Sequence, residues 1–210
     1  MVIKIHGVKE STCTKRVLTV CNELGLKYEV VHVDYMKGAH KQPEYLDTMQ
    51  PFGVVPVLED EDGTKIYESR AMCRYLAAKY GKDSGLLPSS SDVVPYGLFE
   101  QAASVEYSSF DPYASGLTKE RVFSKIFGNE PNEILADHYQ TNLKNKLEGY
   151  ERVLAKQKYL AGDSITLADL FHLPYGHFVN QIDPELLGSK SNVKRWWNDI
   201  SSRESWKSLQ

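Results

Sequence analysis

The hydrophobic positions at the start of the chain change their spacing twice. VIKIH alternates between apolar and polar residues, as a half-buried strand does. TKRVLTVCNELGL follows with apolar residues on one helical face and a glycine near its end, so it predicts a helix. KYEVVHVDY is rich in β-branched and aromatic residues and predicts a second strand. A strand, a helix and a strand in this order predict a parallel pair of strands with a crossover helix.

The next stretch predicts a hairpin and another helix. VPVLEDEDGTKIYES reads as two short strands joined by a turn at Asp62-Gly63. SRAMCRYLAAKYG has apolar residues four positions apart and a glycine at its end, which is typical of a helix. The resulting order, βαβ and then ββα, predicts a small α/β domain over residues 1–85.

Everything after residue 92 has a helical pattern. LLPSSSD at 86–92 contains proline and three serines and reads as a linker. VVPYGLFEQAASVEYSSF is one long amphipathic segment. PNEILADHYQTNLKNKLEGYERVL predicts a second long helix with Pro131 in its first turn. We therefore expect an all-helical domain over residues 93–210.

One helix start in the second half carries a specific capping signal. In SITLADLF, Thr166 is placed to cap the next helix and Asp169, three residues later, is placed to reach back to the Thr166 amide. The carboxylate also lies in the first turn, where the helix dipole favours a negative charge. We interpret Asp169 as a structural residue rather than a catalytic acid.

Composition and charge exclude several classes of protein. The 210 residues are 41% apolar and 25% charged, with a net charge of −3 and dispersed basic residues, so we expect no nucleic-acid partner. No apolar run is long enough to span a membrane, and MVIKIHGV lacks the apolar core of a signal peptide, which indicates a cytoplasmic protein. The three cysteines form no CxxC or Cys/His cluster, so we expect reduced thiols and no metal site.

Four stretches together resemble one known family. They are STCTKRVL, HKQPEYLDTMQPFGVVPVLED, YESRAMCRYLAAKY and YLAGDSITLADLFHLP. In this order and spacing, over essentially the whole chain, the sequence resembles the cytosolic glutathione transferases, and most of all the phi class of plants and fungi. The resemblance implies a thioredoxin-like N-terminal domain followed by an all-helical domain, with glutathione as co-substrate.

The resemblance places a catalytic serine at Ser11, where the first strand ends and the first helix begins. A hydroxyl that donates to the glutathione sulfur, next to a helix N-terminus, favours the thiolate, which is the nucleophilic form. An alternative is that Ser11 only caps the helix. A second alternative is thiol–disulfide exchange through Cys13, because a helix N-terminus also lowers the pKa of a cysteine.

The remaining glutathione contacts also follow from the resemblance. It implies a cis Val55-Pro56 bond, which would leave the Val55 N–H and C=O free to pair with an extended peptide. Many phi-class sequences have glutamine at the position of Val54. Valine lacks the side-chain hydrogen bond of that glutamine, so here the backbone of Val54 and Val55 would have to bind the peptide. Ser69 and its amide would bind the α-carboxylate of the γ-glutamyl end while Glu68 faces the ammonium group. His40 and Lys41 would meet the glycyl carboxylate; a solvated loop is the simpler interpretation of that pair.

A hydrophobic substrate site is expected where the two domains meet, since clefts commonly form there. Aromatic residues at helical spacing are more often core than pocket, so packing in the core is the alternative. The candidate lining residues are Thr12, Tyr35, Met36, Tyr107, Phe110, Tyr113 and Phe178.

The expected activity is conjugation of the glutathione thiolate to hydrophobic electrophiles in the cytoplasm, that is, detoxification, with glutathione-dependent peroxidase activity as an addition. Two other functions stay open, namely a carrier of hydrophobic ligands without catalysis and a scaffold that has lost glutathione binding. Since the family is usually dimeric, we expect a homodimer, in which Phe52 either inserts into the partner subunit or packs beneath its own loop.

Overall fold

The computed structural model describes residues 2–210. The chain forms two compact units. The first unit runs to Ser84 and also contains Ser208–Gln210, and the second is Gly85–Lys207. The last residues join the first unit in part through Asn22, whose side-chain amide donates to the Ser208 hydroxyl (3.3 Å).

The first unit is a small α/β structure. Its strands are β1 (Ile3–Gly7), β2 (Tyr28–His32), β3 (Val57–Glu59) and β4 (Lys65–Tyr67), and its helices are α1 (Thr12–Glu23), α2 (Pro43–Thr48) and α3 (Ser69–Tyr80). The strands lie in the order β2-β1-β3-β4. β1 is parallel to β2 and antiparallel to β3, and β3 and β4 form an antiparallel hairpin. The predicted parallel pair and the predicted hairpin are both confirmed.

The sheet and two helices enclose the core of this unit. Ile5 on β1 is opposite Val30 on β2 and Leu58 on β3. Behind these strands, α1 and α3 contribute Cys21 and Cys73, both of which are buried free thiols. Burial raises the pKa of each thiol to about 12, so both remain protonated and serve as small apolar side chains.

A buried carboxylate joins the hairpin to the end of α3. Asp60 is 4% exposed. Its carboxylate accepts hydrogen bonds from the Lys79 ammonium (2.7 Å), the Tyr75 and Tyr80 hydroxyls and the Glu61 N–H. Burial alone raises the pKa of Asp60, but these four donors outweigh it and lower the pKa to about 2. The charged form therefore stabilises the folded state.

We expect Asp60→Asn to reduce the free energy of unfolding at pH 7 by about 2 kcal/mol, because it weakens charged hydrogen bonds in a buried position. The folded-state pKa of about 2 lies below the unfolded value of 3.8. The stabilisation is thus complete above the unfolded pKa and is lost as the pH falls through the folded pKa. Urea unfolding at pH 7, 4 and 2 measures this, with Asp83→Asn as an exposed control. A difference between wild type and Asp60→Asn that stays constant down to pH 2 would contradict this explanation.

The second unit is helical. Its helices are α4 (Val93–Val105), α5 (Asp111–Thr118), α6 (Ser124–Ile126), α7 (Glu133–Leu154), α8 (Leu167–Leu170), α9 (Leu173–Ile182), α10 (Pro184–Gly188), α11 (Ser191–Ser201) and α12 (Glu204–Lys207). The first three are one continuous helix over 93–126, interrupted by π-helical segments at Glu106–Phe110 and Lys119–Phe123. Of the described helices, none is long and apolar enough to cross a membrane.

The start of α7 differs by one feature from the sequence-based expectation. Pro131 lies just before the helix instead of in its first turn. Asn132 is the N-cap, and its side-chain oxygen accepts from the Leu135 N–H (3.1 Å). An amide side chain satisfies a free N–H of the first turn, which proline cannot do. The helix therefore begins after Asn132.

The core of the helical unit surrounds Asp169. One carboxylate oxygen accepts from the Thr166 N–H (2.9 Å) and the Thr166 hydroxyl, and the other accepts from the Leu160 N–H (3.0 Å) and the Trp196 indole (2.9 Å). The predicted bond from Asp169 back to the Thr166 amide is confirmed. Burial raises the pKa of Asp169, although these four donors act in the opposite direction. Asp169 thus connects α8, the loop before it and α11.

Candidate functional site

Ser11 is the N-cap residue of α1, at the end of the loop that follows β1. Its N–H donates to the Val8 carbonyl (3.0 Å), and its own carbonyl accepts from the Lys15 N–H (2.8 Å). Its half-buried hydroxyl makes no capping hydrogen bond and has no partner in the part of the chain that the structure describes. Capping therefore does not occupy the Ser11 hydroxyl, which is available to a ligand.

The loop before β3 presents an unpaired backbone edge. The Val55-Pro56 peptide bond is cis. Within residues 2–210, neither the N–H nor the C=O of Val55 has a hydrogen-bond partner. Pro56 lies against the end of β1, where a side chain at Gly7 would come within 3.2 Å of the Pro56 ring and 2.8 Å of the Thr14 hydroxyl oxygen. Val55 can therefore pair with an extended peptide, as the edge of a strand does.

The first residue of α3 lies beside an unusual backbone conformation. Glu68, the N-cap of α3, has φ 68° and ψ 107°, and among the described residues it is the only one besides glycine with a positive φ. Conformations of this kind cluster at functional sites. Ser69 follows as the first helical residue, and its buried hydroxyl oxygen accepts a hydrogen bond from Arg16 (2.9 Å). The free N–H groups of this helix start can bind a carboxylate.

The structure gives His40 and Lys41 different properties. The His40 ring is 6% exposed and stacks on the Tyr35 ring with centroids 3.9 Å apart. Burial, and then the charge of Lys41, lower the pKa of His40, so its imidazole is neutral at pH 7. Its Nδ1 atom is buried and has no partner within the described chain. Lys41 is exposed and donates to the Phe52 carbonyl (3.3 Å), so the positive charge of this pair resides on Lys41.

Gly53 and Tyr45 fix the loop that carries Val54. Gly53 has φ +61°, and a side chain there would lie 2.9 Å from the His40 carbonyl oxygen. The Tyr45 hydroxyl donates to the Val54 carbonyl (3.0 Å), and the Val54 side chain is exposed. The Val54 carbonyl is thus held in place from within the first unit, whereas the apolar Val54 side chain offers no hydrogen bond.

The comparisons with known proteins agree with this geometry. A model of the glutathione S-transferase N-terminal domain matches residues 5–103, and one of the C-terminal domain matches residues 100–204. Glutathione S-transferase PM239X14 of Arabidopsis thaliana is 64% identical over 195 residues, covering 93% of this chain and 89% of the relative. The chain belongs to the glutathione S-transferase family.

Other relatives and solved structures support the phi class. Glutathione S-transferase hmp2 of Hypomyces subiculosus is 43% identical, covering 98% of this chain and 96% of the relative. The crystal structure of glutathione transferase F2 from Populus trichocarpa superposes with a TM-score of 0.92 at 36% identity, covering 99% of this chain and 96% of that one. The structure of maize glutathione S-transferase I in complex with an atrazine glutathione conjugate superposes with a TM-score of 0.91 at 30% identity, covering 100% of this chain and 96% of that one. The F-type plant enzymes are phi-class glutathione transferases.

In this glutathione S-transferase, Arg16 contacts two of the candidate site residues, Ser69 and Cys13, which the sequence did not reveal. It is 1% exposed on α1, and its Nη1 atom donates to the Ser69 hydroxyl oxygen and lies 3.6 Å from the Cys13 sulfur. In the sequence it follows Lys15 and looks like a solvated charge. Its only signal is its position five residues after Ser11, on the same helix as the candidate catalytic group.

The candidates for contact with a hydrophobic substrate have different environments. In the first unit, Thr12 is buried, whereas Tyr35 and Met36 are 42% and 78% exposed. In the helical unit, Tyr107 is 65% exposed, and Tyr113 and Phe178 are half-buried. All of these except Thr12 expose enough surface to contact a ligand.

Phe110 requires a correction. Its side chain is 1% exposed, and its ring packs 4.7 Å from the His172 ring and 6.3 Å from the Tyr150 ring, between centroids. The Nδ1–H of His172 donates a hydrogen bond to the Ala168 carbonyl (2.8 Å), and its Nε2 accepts one from the Tyr150 hydroxyl (2.9 Å). Phe110 thus belongs to the core of the helical unit, and we leave it out of the substrate-contacting set.

The residues that the structure describes contain no group of His, Cys, Asp and Glu that could hold a metal ion.

Proposed function

We propose that this glutathione S-transferase conjugates the thiolate of glutathione to hydrophobic electrophiles, and that Ser11 stabilises the thiolate. The observation that carries the proposal is the Ser11 hydroxyl, which stands at the start of α1 without a partner among the described residues. A serine used only as a cap would bond to the first turn of α1. This hydroxyl is free to donate to sulfur.

The chemistry needs an anion on the bound sulfur. A free thiol with a pKa of about 8.5 is only a few per cent thiolate at pH 7. A hydrogen bond from Ser11 and the N-terminal end of the α1 dipole both favour the anion. The thiol proton passes to water while Ser11 keeps its own proton. A sulfur lone pair then forms the bond to the electrophilic carbon, and with an aromatic halide the halide ion leaves with the electrons of its bond to that carbon. Attack of the same thiolate on a peroxide would break the O–O bond and release an alcohol. A second glutathione would then convert the resulting sulfenic acid to glutathione disulfide and water, which completes the peroxidase activity.

The rest of the first unit would hold the peptide at three points. The Val55 N–H and C=O would pair with the cysteinyl backbone, with Pro56 and Val54 completing the loop. Ser69 and its amide would bind the α-carboxylate while Glu68 faces the α-ammonium group.

At the glycyl end, Lys41 would supply the charge for the carboxylate. Because His40 is neutral, it would contribute a hydrogen bond through its ring and no charge.

The proposed contacts of the electrophile are the exposed residues Tyr35, Met36 and Tyr107 and the half-buried residues Tyr113 and Phe178. Thr12, the residue after Ser11, is buried, so it would contact the electrophile only next to the glutathione sulfur.

We place this activity in the cytoplasm, with detoxification of electrophiles as its role.

Initial rates of conjugation of glutathione to an aromatic halide test this function. We expect turnover that saturates in both substrates. Binding of hydrophobic dyes without turnover would favour the carrier, and reduction of a mixed disulfide that depends on Cys13 would favour the redox alternative.

We propose a homodimer in which Phe52 contacts the partner subunit. Phe52 is 69% exposed, and among the described residues the one aromatic ring that it contacts is that of Tyr67, in an edge-to-face arrangement with centroids 6.3 Å apart. Packing beneath its own loop therefore does not account for this side chain. Exposed apolar residues also follow one another along α4, namely Val93, Val94, Leu98 and Val105.

We expect Phe52→Ser to raise the dimer dissociation constant about 30-fold or more, as removal of a central aromatic anchor does at other interfaces. Sedimentation equilibrium of wild type and variant measures this constant, and Met36→Ser, another exposed apolar position, is the control. An unchanged constant in Phe52→Ser would contradict a role of Phe52 in the dimer.

A further inference from the structure

Arg16 joins the helix that carries Ser11 to the helix that begins at Ser69. Its guanidinium is 1% exposed and donates to the Ser69 hydroxyl oxygen at 2.9 Å. Its backbone carbonyl accepts from the Cys73 thiol, one turn further along α3 (3.6 Å). A buried guanidinium loses its hydration and therefore needs hydrogen-bond partners within the protein. The Ser69 hydroxyl is one such partner of Arg16.

The bond determines what the Ser69 hydroxyl can do. A serine hydroxyl has one proton and can accept two hydrogen bonds. Arg16 has no acceptor atom, so in this pair Ser69 must accept, and its proton points elsewhere. In the part of the chain covered by the structure, the Ser69 proton is donated to no protein acceptor. Arg16 thus presents Ser69 as a donor to a bound group.

The charge of Arg16 acts in the same direction. Burial raises the pKa of Cys73, and the nearby charges of Arg16, then Arg70 and Arg74, oppose that rise. The field of Arg16 therefore reaches the interior side of α3. The free N–H groups at the start of this helix add a partial positive charge. A negative group beside Ser69 would meet a fixed positive potential.

We propose that Arg16 is a positioning residue that orients the Ser69 hydroxyl and supplies the charge that selects peptides with a free α-carboxylate. The inference rests on the proposed function, in which Ser69 binds the α-carboxylate of the γ-glutamyl end. The enzyme accordingly discriminates between glutathione and the same peptide with that carboxylate converted to an amide. Arg16 acts on the peptide only through Ser69 and through its field.

The test compares two peptides on matched variants. Calorimetry gives the dissociation constants of glutathione and of its α-carboxamide for wild type, Arg16→Met and the neighbouring control Lys15→Met. We expect Arg16→Met to raise the constant for glutathione about 10- to 100-fold, as loss of a charge-assisted hydrogen bond network does. For the amide we expect a change of less than about threefold, and Lys15→Met should leave both constants within about twofold.

The outcomes separate this inference from the function on which it rests. Equal weakening of both peptides by Arg16→Met, or no weakening of either, would overturn the inference while the proposed function stands. Absence of glutathione binding to the wild type would overturn both. If Arg16→Met does not fold, Arg16→Lys replaces it; there we expect a smaller loss, about 3- to 10-fold, again confined to glutathione, because lysine keeps the charge without the planar fork.

Discussion

Replacement of Ser11 by alanine is expected to lower kcat for conjugation about 10- to 100-fold, because it removes one hydrogen bond to a sulfur anion. The dissociation constant of glutathione should change by less than about threefold, since the carboxylate and backbone contacts of the peptide lie elsewhere. Initial rates at saturating glutathione, together with calorimetric binding, measure the two effects separately.

Cys13→Ser is the matched control for this prediction. Cys13 lies two residues after Ser11 on the first turn of α1 and is half-buried, so its replacement tests a neighbouring nucleophile in the same environment. We expect Cys13→Ser to retain kcat within about threefold, because the thiolate that reacts belongs to glutathione. If Cys13→Ser abolishes turnover while Ser11→Ala does not, the assignment of Ser11 is wrong.

The largest expected loss of stability follows from Asp169→Ala. Four hydrogen bonds in the core of the helical unit end on this carboxylate, including those from the Leu160 N–H and the Trp196 indole. Removal of the acceptor leaves buried donors without partners, which we expect to reduce the free energy of unfolding by about 3–5 kcal/mol. Urea denaturation followed by the fluorescence of tryptophan measures the change.

Asp163→Ala provides the comparison for this stability effect. Asp163 is exposed, and its carboxylate accepts one hydrogen bond, from the Lys158 N–H (3.2 Å). We expect it to cost less than about 1 kcal/mol. Equal losses in the two variants would show that the buried network around Asp169 does not stabilise the helical unit.

The elements that could be predicted from the sequence are those with a local signal, such as alternating apolar residues, a turn dipeptide or a capping pair. The alternation in β1, the turn at Asp62-Gly63 and the reach of Asp169 back to Thr166 are local features, and the structure confirms them. The short helix α2 has no buried residue, and therefore it had no apolar face from which to predict it.

Other parts of the site arise only when distant segments pack together. Burial of Arg16 depends on contact between α1 and α3, and its partner Ser69 is 53 residues away along the chain. The positive φ of Glu68 is a backbone property that no residue type at that position signals. Helical spacing likewise could not distinguish Phe110, which is in the core, from Tyr107, which is exposed. The spacing of apolar residues shows which residues share one face of a helix, but the burial of that face depends on the elements that pack against it.

The most direct test of the role of Ser11 is the pKa of the thiol of bound glutathione, read from the ultraviolet absorbance of the thiolate in a pH titration of the complex. Wild type should bring this pKa clearly below the free-thiol value of about 8.5. In Ser11→Ala, with glutathione still saturating, the pKa should rise back by about 1 unit or more, which corresponds to the expected loss in rate. The same depressed pKa in both proteins would contradict the stabilisation of the thiolate by Ser11.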